Sequence, residues 1–130
     1  QLVDAIDGFE ISPSVLVNIN DDREQALYPV KAMLGFYIGG MGAAKRNFHK
    51  ELMARMGFPE EADRIQELFL AGKQDEAVAA VPDQFADEIS LCGPRERIKE
   101  KIKDWENSPV TSLLVHGDVN LLREVSELVL

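Results

Sequence analysis

From Phe9 to Asn20 the chain reads FEISPSVLVNIN, and Val15, Val17 and Ile19 alternate with Ser14, Leu16 and Asn18. Period-two alternation of β-branched residues predicts a strand. Leu16 interrupts the polar face, so both faces are expected to be covered, as in parallel sheets flanked by helices. Pro13 falls near the strand's start, where a missing N–H is tolerated. Asp21-Asp22 then offers a helix N-cap, and Glu24 places an acid at the positive end of the dipole. The apolar spacing lengthens beyond this point: Ala26, Val30, Met33, Leu34, Tyr37 and Ile38 mark one face of a helix that begins at Arg23. Pro29 lies inside that pattern and predicts either a later start or a kink. Gly39-Gly40, with Gly42 behind, predicts the stop.

Further helices follow from the same reasoning. One is predicted from Ala44 to Met56, with Phe48, Leu52 and Met56 as its apolar repeat and Gly57 as its terminator. Pro59-Glu60-Glu61 opens another, with Ile65, Leu68 and Phe69 inward and Gly72 at its end. Asp75 is expected to cap a short helix through Val81, and Pro82-Asp83 to start a second short one containing Phe85 and Ile89. Gly93-Pro94 introduces a helix from Arg95 to Glu106, buried along Ile98, Ile102 and Trp105, with its basic residues and acids on a solvated face. After Ser108-Pro109, Val110–Val115 reads as a second strand, and Asn120 to Leu130 begins a last helix.

Two strands joined through a long helical stretch are expected to lie parallel with a right-handed crossover. A two-stranded parallel sheet is marginal by itself, because each strand leaves an edge unpaired. The pattern therefore predicts part of a larger α/β protein. The alternative is a stand-alone, helix-rich interaction domain whose helices form their own core and carry the small sheet as an appendage.

Composition narrows the function. A formal net charge of -9 over 130 residues opposes a phosphate-backbone partner, so no nucleic acid is expected. No apolar run approaches the ~20 residues of a membrane span, and Gln1-Leu2-Val3-Asp4 lacks the features of a signal peptide. The single cysteine, Cys92, excludes an internal disulfide and fits a reducing, cytoplasmic compartment. It has no partner at motif spacing, and a small buried residue is expected there.

Four stretches carry a family likeness: FEISPSVLVNINDDREQAL, GFYIGGMGA, RMGFPEEADRIQELFLAGKQDEAVAAVPDQFADEISLCGP and RERIKEKIKDWENSPVTSLLV. In this order they resemble the C-terminal region of the luciferase-like monooxygenase family, in the branch that uses the deazaflavin coenzyme F-420. The resemblance implies that residues 1–130 form one partial domain, the C-terminal portion of a (β/α)8 barrel. Phe9–Asn20 would be its seventh strand, Val110–Val115 its eighth, and the helices between them a crossover with an insertion. It implies coenzyme F-420, or alternatively FMN, as cofactor of the parent protein, and a small organic molecule as substrate. Most flavin contacts are then expected outside this sequence, with the chain inactive alone and disposed to associate with itself or with the missing barrel portion.

In such a barrel the active site lies at the C-terminal ends of the strands. Asn18, Asn20 and Asp21 at the first strand's exit, and His116 with Gly117 at the second's, are the positional candidates. Capping is the plainer role for Asp21 and Asp22, and exposure the plainer state for His116, whose imidazole would otherwise suit proton transfer. Gly39 and Gly40 are candidates to approach the flat cofactor ring, with Tyr37 and Met41 beside them; termination of the helix is the competing reading. No metal site or nucleophile is expected, since a bound flavin or deazaflavin carries the redox chemistry.

Overall fold

The computed structural model describes residues 8–42 and 46–130. Strand β1 (Ser14–Ile19) is followed by helices α1 (Arg23–Gly40), α2 (Phe48–Arg55), α3 (Pro59–Leu70), α4 (Gln74–Ala79) and α5 (Asp83–Glu88). Then come β2 (Ser90–Gly93), α6 (Arg95–Glu106), β3 (Leu114–Val115) and α7 (Val119–Val129). Among the described residues the sheet has three strands in the order β2-β1-β3, all parallel. The described residues divide into two compact units, one comprising residues 8–26 and 89–130 and the other residues 27–42 and 46–88.

The two-strand expectation is thus corrected. Ser90–Gly93 is a third strand, buried along its whole length and paired in register from Leu16↔Ser90 to Ile19↔Gly93. It makes β1 the central strand. A four-residue run buried on both faces has no alternation to betray it, and the apolar spacing of the preceding helix extends into it. Strand β3 is shorter than Val110–Val115 because the residues before it pair irregularly with the chain leading into β1. Thr111 N–H donates to the Ile11 carbonyl at 3.0 Å, and Thr111 Oγ1 accepts from Ile11 N–H at 2.9 Å. The Ser12 and Ser112 hydroxyls meet at 2.5 Å.

In the first unit the alternation in β1 works as read. Val15 and Val17 are buried with Leu91 of β2, Ile98 and Ile102 of α6 and Val125 of α7, and Ile19, Trp105, Leu113, Val115, Leu121 and Leu128 pack around them. The charged face of α6 is less solvated than expected. Lys101 Nζ reaches the Ser90 carbonyl at 2.8 Å, and Arg95 forks to Glu124 at 2.9 Å and Glu127 at 3.3 Å, tying α6 to α7.

Helix α1 runs unbroken through Pro29. Proline there removes the donor that would bond the carbonyl one turn back, that of Gln25. Asn18 of β1 stands in for it, donating from Nδ2 to Ala26 O at 3.0 Å and, at longer range, to Gln25 O at 3.4 Å.

In the second unit the face of α2 departs from expectation. Phe48, Leu52 and Met56 are exposed, and Met53 is the buried residue. Asn47 sets this orientation. Its side-chain oxygen accepts from Lys50 N–H at 3.1 Å, capping α2, while its Nδ2 donates to the last carbonyls of α1 at Ile38 (2.7 Å) and Tyr37 (3.2 Å). Lys50 then reaches α3, bonding Asp63 at 2.7 Å and Gln66 at 2.8 Å. The expected start of this helix at Ala44 lies outside the described residues. Gly72, at φ +78, ends α3 in the left-handed conformation, as the sequence suggests.

Candidate functional site

The strand exits of the first unit hold Asn20, Asp21, His116 and Gly117. Asn20 is half-buried and engaged in the turn that leaves β1. Its backbone N–H donates to Gly93 O at 3.0 Å, binding the exit of β1 to that of β2. Its side-chain oxygen accepts from Asp22 N–H at 2.9 Å, and its Nδ2 lies 3.4 Å from Gln25 Oε1. Asp22 caps α1 through Gln25 N–H at 3.1 Å, the role expected for it, and Asp21 is exposed. His116 and Gly117 follow β3 and are exposed.

Asn20 and His116 do not emerge at a common level. Val115, the end of β3, is paired with Val15, whereas the end of β1 at Ile19 is paired with Gly93. Four residues of strand separate those two levels, roughly 13 Å at ~3.3 Å per residue. Sequence reasoning placed both at strand ends but had no means of reading the register.

In the second unit Tyr37, Gly39, Gly40 and Met41 sit together at the end of α1. Neither glycine adopts a positive φ among the described residues, so left-handed freedom does not explain them. A Cβ on Gly39 would stand 2.4 Å from Phe69 Cβ and 2.5 Å from its Cγ; one on Gly40 would stand 2.6 Å from Phe69 Cε1. The glycines therefore make room for Phe69 of α3. Beyond them, Met41 N–H donates to Phe36 O at 3.2 Å, and the Met41 side chain is exposed.

Sequence reasoning missed the aromatic run around these positions. Phe36 meets Phe69 edge-on at 6.1 Å between centroids and Tyr37 at 5.9 Å. Tyr37 lies 4.7 Å from the His49 ring, and His49 lies 5.6 Å from Phe48. The spacing of Phe36-Tyr37 against Phe48-His49 was visible, but nothing in it indicated that α1 and α2 would bring them together. Gln66 is buried as well; Lys50 fixes its carbonyl end, and its Nε2 has no acceptor among the described residues. Cys92 is buried, as expected, with Sγ 4.0 Å from Leu16 O. No helix among the described residues is long and apolar enough to cross a membrane.

Comparison with known proteins bears on what this arrangement belongs to. The sequence profile of the luciferase-like monooxygenase family matches residues 4–112. A Mycobacterium tuberculosis protein named as a coenzyme F-420-dependent oxidoreductase is 35% identical over 124 residues, covering 95% of this chain and 36% of the relative. The solved structure of the coenzyme F-420-dependent tetrahydromethanopterin reductase of Methanopyrus kandleri superposes with a TM-score of 0.62 at 21% identity, covering 90% of this chain and 31% of the reductase. The chain thus spans about a third of the length of each. Its helix-rich α/β fold with a small parallel sheet matches part of that TIM-barrel-like reductase fold. With the family profile covering most of its length, the chain belongs to the luciferase-like monooxygenase family.

Proposed function

We propose that this chain forms part of a coenzyme F-420-dependent oxidoreductase that moves hydride between the reduced deazaflavin and a small organic substrate. The observation that carries the reading is the 35% identity, across 95% of the chain, to a relative named for that coenzyme. Because the chain spans only 36% of that relative, the main cofactor contacts are assigned to the part of the fold it does not match. Gly39 and Gly40 lie against Phe69, and the Asn20 side chain is engaged within its own turn.

When bound, the deazaflavin supplies the hydride, and the protein positions the reacting partners. In the first unit Asn20 and His116, and in the second Tyr37 and Met41, are the proposed substrate-side positions, with Gly39 and Gly40 the proposed cofactor-side ones. Reduced FMN with oxygen as acceptor is the alternative cofactor chemistry.

The test is a fluorescence titration of coenzyme F-420 against two proteins. One is the 130-residue chain; the other is a chimera in which this chain replaces the matching third of the Mycobacterium tuberculosis relative. The chimera is expected to bind stoichiometrically and the chain to bind little. Tight binding by the chain alone refutes the assigned division of contacts.

A further inference from the structure

Helix α2 carries apolar residues on two sides. Met53 is fully buried within the second unit. Phe48, Leu52 and Met56, spaced one turn apart along another side, are 64%, 39% and 41% exposed. An exposed apolar row at this spacing marks a contact surface, unlike apolar residues scattered singly. Glu51 and Arg55, both exposed and one turn apart, run along one flank of the row. From Arg46 to Arg55 the charges are Arg46, Lys50 and Arg55 against Glu51, so this stretch is basic within a chain of net charge -9.

We infer that the outer row of α2 is the contact for a second copy of this chain, the two helices packing antiparallel about a two-fold axis at Leu52. The sequence of the row is complementary to itself about that point. Residues equally far from Leu52 face each other across such an axis, so Leu52 meets Leu52 and Phe48 meets Met56, a thioether against an aromatic ring. In an antiparallel two-fold pair, matching flanks also meet. Arg55 of one helix then lies within two residue levels of Glu51 of the other, roughly 3 Å along the axis at ~1.5 Å per residue. The same ion pair forms twice, once on each side of the dyad. The locally basic character of the stretch offsets the repulsion expected between two acidic chains. A single helix pair lies at the small end of the interface range, so a weak dimer is expected, with Kd on the order of 10–100 μM. Coenzyme chemistry plays no part in this pairing.

Sedimentation equilibrium of the 130-residue chain provides the test. The weight-average mass is expected to climb from 14.5 kDa toward twice that value across the micromolar to submillimolar range. Leu52→Glu sets two carboxylates face to face on the dyad and is expected to weaken association roughly tenfold or more. Glu51→Arg and Arg55→Glu each bring like charges together, and each is expected to weaken it severalfold. Mixed in equal amounts, those two variants are expected to form a heterodimer tighter than either self-pair, because opposite charges then meet at both contacts. Lys99→Glu, on the exposed side of α6, changes the net charge as Arg55→Glu does and is expected to leave association unchanged. The substituted side chains are exposed, so circular dichroism is expected to match the parent chain; should Leu52→Glu unfold it, the mixture of flank variants decides. A dimer indifferent to Leu52→Glu, or a mixture no tighter than its components, overturns the inference. A chain that stays monomeric overturns it too, and if Leu52→Glu then unfolds the chimera, the row is covered by the rest of the fold.

Discussion

Replacing Gly39 with alanine separates a packing role from a ligand-facing one. In a helix interior that change ordinarily stabilises by about 1 kcal/mol. Here the new Cβ would stand 2.4, 2.5 and 2.9 Å from Cβ, Cγ and Cδ2 of Phe69. Carbon atoms settle at about 3.5–4.0 Å, so α1 and α3 must part by roughly 1 Å. The nearest colliding atom is a Cβ anchored to the backbone, and no rotamer change relieves it. The overpacking cost is therefore placed near the upper end of the usual range, ~3 kcal/mol. Offset by the propensity gain of about 1 kcal/mol, the net loss is about 2 kcal/mol. Urea unfolding of the 130-residue chain, followed by far-UV circular dichroism, measures it.

A cycle with Phe69→Ala sharpens the test. Gly40→Ala meets ring atoms, Cε1 at 2.6 Å and Cζ at 2.8 Å, so removing the ring is expected to rescue it. Gly39→Ala is expected to stay destabilised, because alanine at position 69 keeps the offending Cβ. If Gly39→Ala proves neutral or stabilising in the wild-type background, the close approach is refuted.

Asn47→Ala removes a cap worth about 1 kcal/mol and leaves the end carbonyls of α1 without their donor, at ~1–3 kcal/mol. A combined loss of about 2–4 kcal/mol is expected in thermal unfolding. Asn47→Asp, ordinarily an equivalent cap, is expected to do no better, since it sets a carboxylate oxygen against the Tyr37 and Ile38 carbonyls; wild-type stability in that variant refutes the bridging role. Gln66→Met exchanges a hydrogen bond from Lys50 for removal of a buried Nε2 that has no acceptor among the described residues, so stability is expected to hold or rise. A loss above about 2 kcal/mol in urea unfolding would contradict this. Asp118→Ala removes the cap of α7, which bonds Asn120 N–H at 2.9 Å and Leu121 N–H at 3.0 Å. It is expected to cost about 1 kcal/mol and to speed amide exchange in the first turn of that helix before elsewhere.

The alternation of Val15, Val17 and Ile19 was sufficient to place β1 and its buried face, and Ile98 and Ile102 to place that of α6. The Asp22 cap, the end of α3 at Gly72 and the burial of Cys92 were equally legible. Each is a property of one element or one turn, where the period of apolar residues or a local hydrogen bond fixes the outcome. The third strand was not, because Ser90–Gly93 is defined by pairing with Leu16–Ile19, far away in the chain, and carries no periodicity of its own. Nor was the face of α2. Phe48, Leu52 and Met56 make as good an apolar stripe as any, yet Asn47 and Lys50, through their bonds to α1 and α3, turn Met53 inward instead.

The candidate site divides along the same line. Sequence alone identified the family and nominated residues at the strand exits and at the end of α1. Tertiary structure decided what surrounds them: the register sets Asn20 and His116 at different levels, and Phe69 packs against Gly39 and Gly40. Periodicity records which residues of an element prefer burial. What they meet there is set by contacts between elements, which no single stretch of the chain encodes.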